Sequence, residues 1–269
     1  MSKENSCLKV RLDKLLSNNG FGSRKEVRHF IRSKIVSVNG QICSEVDADV
    51  FPDTDKIAIN GQLIQIRKNI YLMMNKAKNY VCSTRGGVHP TVYDLLSDEY
   101  RSKFLGGEIH TIGRLDVDTE GLLIFTSDGA MTHRLESPKY GGKKTYLVYL
   151  RDKVCDEDKK LYIEKLAGGL HIEREGDEAA ADCKPAECVW LNAANFEGAD
   201  EVCTLTVTEG KFHEVKRLFL ALGNEVKYLK RLSMNGLKLD ENLKCGEYRE
   251  LTAFEVALLN NENKSVEEL

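Results

Sequence analysis

The sequence predicts a two-part chain of mixed α and β structure, in which a small helix-and-hairpin unit precedes a larger mixed sheet flanked by helices. Three observations predict it. Residues 9–34 read as two short amphipathic helices and are followed by two Asn-Gly hairpin signals. From Tyr71 onward, short apolar strand-like runs alternate with helical patterns. Residues 113–129, GRLDVDTEGLLIFTSDG, set three carboxylates directly before the apolar run 122–125, placing charge at the edge of a core, where it is costly unless paired.

Leu12, Leu15 and Leu16 give the first helix one apolar face, and Gly20 and Gly22 break it. Ser23, with Glu26 three residues later, is a capping-box signature for a second helix whose Val27 and Ile31 point inward. Arg24, Lys25, Arg28 and Arg32 populate its other side, where their charges can meet successive phosphates. Across 9–34, eight basic residues (Lys9, Arg11, Lys14, Arg24, Lys25, Arg28, Arg32, Lys34) stand against Asp13 and Glu26. The segment therefore carries +6 in a chain whose net charge is -3. In isolation such a run reads as a solvated surface. Asn39-Gly40 and Asn60-Gly61, the second between DKIAI and QLIQI, add tight hairpins and make the segment a compact unit.

A boundary is expected at 67–69, giving a first domain over 9–66, a second over 70–261 and an acidic, frayed tail over 262–269. In the second domain, strands are expected at 71–74, 81–82, 110–112, 122–126, 145–150, 187–191, 202–207 and 226–232. Helices are expected near 92–96, 131–135, 157–166, 215–222 and 253–260.

Asp116, Asp118, Glu120 and Gly121 fall at positions one, three, five and six of a calcium-loop pattern. The twelfth position, where a bidentate Glu should close the coordination sphere, is Ser127, and Ile124, Phe125 and Thr126 suit a strand. No metal site is expected. The remaining use for carboxylates there is acid or base chemistry opposite a basic partner.

The segment GRLDVDTEGLLIFTSDG resembles the catalytic signature of the pseudouridine synthases, in the branch typified by ribosomal small-subunit pseudouridine synthase A. The resemblance implies an α+β catalytic domain with a mixed, mostly antiparallel sheet, and makes Asp116 the essential carboxylate. Asp118 and Glu120 are left to a turn or a cap. The stretch RLDKLLSNNGFGSRKEVRHFIRSKIVSVNG resembles the alpha-L RNA-binding domain of a small-subunit ribosomal protein and of several RNA-modifying enzymes. With that resemblance, Arg11, Lys14, Ser23, Arg24, Lys25, Arg28, Arg32 and Lys34 read as an RNA-binding face rather than a merely solvated one.

Three further segments resemble family motifs. In NKAKNYVCS, residues 75–83, the family loop carries a Lys-Pro dipeptide and a Gly, whereas this chain has Ala77 and Asn79 there. In KKTYLV the family places an aromatic residue that stacks on the target base, which would be Tyr146; the alternative is a ring in the strand's core. Ser137-Pro138-Lys139 and Lys143-Lys144 flank it with charge. In EGKFHEVKRLFLALG a basic residue pairs with the catalytic carboxylate. Lys216 is the nearest match, and Arg217 follows it; neighbours on a helix face about 100° apart, so only one is expected to reach Asp116. Both are substrate-site candidates, as is Arg114, which either holds RNA phosphate or is salt-bridged for structure.

The reaction the resemblance implies is isomerisation of a uridine within RNA: the bond from ribose C1′ to uracil N1 breaks, the uracil turns, and C5 joins C1′. Nothing is added or lost, so no cofactor is expected, in keeping with the absence of a glycine-rich dinucleotide motif or P-loop. The expected partner is rRNA, as free RNA or in a ribosomal precursor particle. Small-subunit (16S) rRNA is favoured over large-subunit (23S) rRNA on resemblance alone. A monomer is expected.

The 269 residues, 42% of them hydrophobic, suffice for a core. No apolar run is long enough to span a membrane and MSKENSCLKV lacks a signal peptide's apolar segment, so a cytoplasmic location is expected. Eight cysteines occur without a CxxC pair, which reads as free thiols. Two competing classes remain. A catalytically silent ribosome-assembly factor would need a broken site, against which Asp116, Tyr146 and Lys216 together argue. A glycosidase would need Asp118 or Glu120 as second acid, too close in sequence to flank a sugar without a special turn.

Overall fold

The computed structural model describes residues 9–52, 54–64, 66, 69–101, 109–137 and 142–260. Cys7, Pro138, Lys139, residues 67–68 of the expected boundary and the expected tail 262–269 lie outside them. Two compact units emerge, one built mainly on residues up to Ile70, the other on Tyr71–Leu95, Thr111–Phe125 and Gly129 onward.

In the first unit, β1 (Val10–Arg11) leads into α1 (Leu12–Asn18), and α2 (Arg24–Arg32) follows. The α2 capping box forms as expected: Glu26 N–H donates to Ser23 Oγ at 3.3 Å, and Ser23 N–H donates to Glu26 Oε2 at 2.7 Å. Four short strands then build a sheet in the order β3-β2-β5-β6: β2 (Val36–Val38), β3 (Gln41–Ile42), β5 (Ile57–Ile59) and β6 (Gln62–Leu63). In the chain between them, β4 (Asp49–Val50) pairs antiparallel with β1. Both Asn-Gly pairs have positive φ at each residue, 52° and 82° at Asn39-Gly40 and 51° and 80° at Asn60-Gly61, the requirement of a two-residue hairpin turn. Leu12, Leu15, Leu16, Val27, Ile31, Val36, Val50 and Ile57 form the unit's core.

The second unit is organised by a sheet in the order β13-β14-β10-β15-β9-β7-β17. Its members are β7 (Tyr71–Lys76), β9 (Glu120–Thr126), β10 (Lys144–Leu150), β13 (Glu187–Leu191), β14 (Glu201–Val207), β15 (Val226–Met234) and β17 (Tyr248–Glu250). Off this path, β8 (His110–Ile112) pairs with β9 and β16 (Leu237–Lys238) with β15, while β11 (His171–Ile172) and β12 (Ala181–Asp182) pair with each other. The pairings β13–β14, β14–β10, β10–β15 and β17–β7 are antiparallel, whereas β15–β9 is parallel. Gly121 makes that parallel contact possible: its φ is 100°, and a Cβ there would lie 2.3 Å from Arg231 O. Helices α4 (Gly129–Glu136), α5 (Asp156–Gly168), α6 (Glu214–Ala221) and α7 (Ala253–Leu259) complete this unit, while α3 (Asp98–Arg101) belongs to the first. One core cluster joins Met73, Leu122 and Ile124 of the sheet to Met131 and Leu135 of α4 and Leu259 of α7.

Two expected elements differ. Residues 81–82 form only an isolated bridge, Val81 to Thr91, and 92–96 becomes a single tight turn of 3-10 helix, Val92–Leu95. Strands of two or three residues, β11, β12, β16 and β17, are too short to show an alternation of their own. No helix among the described residues is long and apolar enough to cross a membrane. The described cysteines are all free thiols.

Candidate active site

Asp116 sits in the loop between β8 and β9, and main-chain contacts shape that loop before any side chain acts. Thr119 N–H donates to Asp116 O at 3.1 Å and closes a turn, while Asn79 N–H donates to Val117 O at 2.7 Å. Lys76, the last residue of β7, is fully buried; its Nζ donates to the main-chain oxygens of Asp116 (2.9 Å), Thr119 (2.8 Å) and Ala77 (3.1 Å). A fourth oxygen, Val117 O, lies at 3.5 Å, so all three donors of the ammonium are met. Burial nevertheless pushes the Lys76 pKa below its ordinary value. The departure from the family pattern at Asn79 is conformationally mild: its φ is 67°, the left-handed region that Gly adopts freely and Asn tolerates better than most.

The turn 211–213 and α6 bring the opposite wall. Lys216 Nζ lies 3.1 Å from Asp116 Oδ2 and 2.6 Å from Asp118 Oδ1. Burial opposes the charge on each partner of the closer pair, but their hydrogen bond prevails, holding Asp118 below the usual carboxylate range and Lys216 above its own. His213, the residue before α6, approaches the other oxygen, with Nε2 3.6 Å from Asp116 Oδ1 and Nδ1 3.0 Å from Glu175 Oε1. Its backbone is left-handed, φ 48°, a conformation uncommon for a non-glycine residue and concentrated at functional sites.

Arg217 does not reach Asp116 and does not line the cavity beside it. It is 5% exposed, and its guanidinium donates to Glu173 O at 2.6 Å, Ala179 O at 2.8 Å and Phe212 O at 3.1 Å. Its charge braces the loop ahead of α6. Of the two candidates, Lys216 is the one beside the carboxylate.

Between these walls lies a cavity of about 690 Å³ whose lining includes Arg114, Asp116, Tyr146, His213, Glu214 and Arg231. Tyr146 projects from β10 on the same side as Val148 and Leu150, and burial pushes its phenol pKa up. Arg231 is almost wholly buried beside it, with Nε donating to Leu122 O at 2.7 Å. Arg114 is exposed at the wall and has no ion pair or hydrogen bond among the described residues. Lys144 is engaged inside the protein, donating to Gly142 O at 3.3 Å and Glu209 O at 3.2 Å, and burial lowers its pKa. Glu120, left to a structural part by the sequence, accepts from the Tyr228 hydroxyl at 2.7 Å.

In the N-terminal unit, the basic residues divide. Arg11 and Arg28 clasp the buried Asp13, Arg11 Nη2 and Arg28 Nε each 3.0 Å from Oδ2. Ser23 is spent on its capping box with Glu26. Lys14, Arg24, Lys25, Arg32 and Lys34 are exposed, with no ion pair among the described residues.

Comparison with known proteins gives the family of the chain. The family model for RNA pseudouridylate synthase matches residues 70–221, and that of the S4 domain matches residues 10–50. The chain belongs to the RNA pseudouridylate synthase family. It is 43% identical to the uncharacterized RNA pseudouridine synthase YtzG of Bacillus subtilis over 93% of this chain and 98% of that one. It is 38% identical to ribosomal small subunit pseudouridine synthase A of Pasteurella multocida, over 93% and 100%. A crystal structure of a pseudouridylate synthase, 36% identical, superposes with a TM-score of 0.60 over 93% of this chain and 99% of that one. This RNA pseudouridine synthase is thus an isomerase with an N-terminal S4 domain and an α+β catalytic domain.

The sequence had not singled out Lys76, His213 or Arg231. Lys76 is the lysine of the family's Lys-Pro dipeptide at the end of an apolar strand, but the buried carbonyls it meets are not visible in the sequence. His213 lies in the EGKFHEV motif, but it approaches Asp116 from a left-handed backbone that a residue name does not disclose.

Proposed function

We propose that this synthase isomerises one uridine of small-subunit rRNA, with Asp116 as the carboxylate that acts on the ribose. The observation that carries this reading is the Asp116 carboxylate flanked by Lys216 on one oxygen and His213 on the other, in the wall of a cavity of about 690 Å³. A target uridine turned out of its helix enters that cavity, where Tyr146 stacks on the uracil and Arg114 takes a backbone phosphate. The C1′–N1 bond breaks, the uracil turns, and C5 bonds to C1′; the C5 proton then leaves and N1 gains one, so the product is an isomer. Lys216 places a fixed positive charge beside the reacting carboxylate.

Lys14, Arg24, Lys25, Arg32 and Lys34 supply the phosphate contacts of the N-terminal domain, 9–66, which a division at 67–69 separates from the catalytic domain. The choice of the small subunit follows relatives named ribosomal small subunit pseudouridine synthase A, 36 to 38% identical over 92 to 93% of this chain. The test is pseudouridine-specific mapping of both rRNAs, and of a precursor particle, after incubation with the protein or with Asp116→Asn. One new pseudouridine in the small-subunit RNA, absent with the variant, is expected. A large-subunit site overturns the choice of RNA, and no product on any substrate overturns the catalytic reading.

A further inference from the structure

Phe212 is an exposed aromatic side chain beside this site that takes no part in the isomerisation. It is 42% exposed, and it stacks on His213 with ring centroids 3.7 Å apart and planes inclined by 23°. One face of the ring is therefore covered and ring surface remains open. The turn that presents it is pinned at each residue: Phe212 O accepts from Arg217 Nη1 at 3.1 Å, Lys211 N–H donates to Glu214 Oε2 at 3.1 Å, and Glu214 N–H donates to Lys211 O at 3.2 Å. A ring so held is preorganised for a flat partner, with little left to order on binding. The stack also leads straight to the chemistry, since His213 lies 3.6 Å from Asp116 Oδ1.

A single exposed apolar side chain is ordinary on a protein surface. What distinguishes this one is its parallel stack, its fixed turn and its place one side chain away from the reacting carboxylate. We propose that Phe212 is a stacking subsite for the nucleobase adjoining the target uridine in single-stranded RNA. The proposal rests on the synthase reading and assigns a contact beyond the target base itself. When the target leaves its stack, its neighbour loses a partner on one face. An open aromatic face replaces that partner and, because every base has a π-face, does so for any of the four. Arg114, free at the cavity wall, provides positive charge for a neighbouring phosphate.

The test uses the full-length protein and the rRNA fragment carrying the uridine that the wild type modifies. The nucleotide on its 5′ or its 3′ side is synthesised either natural or abasic. KM and kcat are measured for the wild type, Phe212→Leu and Phe212→Trp. Phe212→Leu is expected to raise KM about tenfold, within the worth of one base–aromatic stack. An abasic neighbour on one side is expected to raise the wild-type KM equally, and variant and abasic RNA together to be no worse than either alone. Phe212→Trp, which keeps a stacking face, restores the KM and separates lost stacking from lost folding. Independent, multiplying losses overturn the proposal, as does an abasic substitution without effect on the wild type at both sides. A wild type that forms no pseudouridine in any rRNA overturns the synthase reading instead.

Discussion

Lys76 Nζ donates to the main-chain oxygen of Asp116 at 2.9 Å and to that of Thr119 at 2.8 Å. Those two carbonyls bracket the turn that carries Val117 and Asp118, so one buried ammonium sets the direction in which the Asp116 side chain leaves the loop. Lys76→Met keeps most of the stem but removes this donor from both oxygens; Asp116 O keeps its bond from Thr119 N–H, and the lost bond at Thr119 O costs about 1–3 kcal/mol for a buried unsatisfied group. The variant is expected to lose stability on that scale and to form pseudouridine more slowly. Chemical denaturation and initial rates check both effects, and wild-type kcat in Lys76→Met would show that the turn holds itself.

Lys216 shares its charge between two carboxylates, and the shorter contact, 2.6 Å, is to the more exposed Asp118. Lys216→Met is expected to lower kcat about a hundredfold, the order seen when a preorganised charge is removed from a reacting group. Asp118→Asn leaves Lys216 to Asp116 alone and is expected to have a much smaller effect on the rate. Equal losses in the two variants would mean that the ion pair with Asp118, rather than the charge on Asp116, is what Lys216 contributes.

Glu214, the first residue of α6, is buried, and burial pushes its carboxyl up to about 7 from an ordinary 4.5. Its folded-state pKa is thus raised above the unfolded one, so the neutral acid fits the fold and the anion opposes it. The associated stability is fully present below about pH 4.5 and is lost as pH rises to about 7. Relative to Glu214→Gln, which still accepts the Lys211 N–H, the wild type is expected to lose on the order of 2 kcal/mol across that window. Melting curves of both proteins at intervals from pH 4 to about 8 read the difference; parallel curves would mean that the carboxyl finds compensation in the anionic state.

What the sequence conveys about this site follows from what a side-chain pattern can carry. The capping box at Ser23 and Glu26 and the Asn-Gly turns are local rules with one geometric outcome, and both form. The apolar run after Glu120 is legible for the same reason, because β9 buries both of its faces. The choice between Lys216 and Arg217 depends on the rotational phase of α6, which the helix fixes by burying Val215, Leu218 and Phe219. Arg217 falls on the buried side and turns to carbonyls of the preceding chain. Lys76 and His213 needed contacts from residues 40 or more positions away or a backbone angle, and neither is written in a local pattern.

The basic stripe of the N-terminal unit divides by partner. Asp13 is 1% exposed, and Arg11 and Arg28 both reach it; burial opposes its charge, yet the two guanidiniums hold its pKa below the usual range. Removing one partner of a buried charge is costly, whereas removing a solvated cation is not. Arg28→Ala is therefore expected to destabilise the protein measurably, with much of its RNA-binding defect recovered at low temperature. Arg24→Ala and Lys25→Ala should melt like the wild type and weaken RNA binding to a similar degree across sequences. Each lost phosphate contact should also flatten the slope of log affinity against log salt by about 0.9 for a duplex or about 0.7 for a single strand. Titrations of rRNA at several salt concentrations, alongside melting curves, separate the two groups. An unchanged slope in Arg24→Ala would remove that residue from the RNA-binding face.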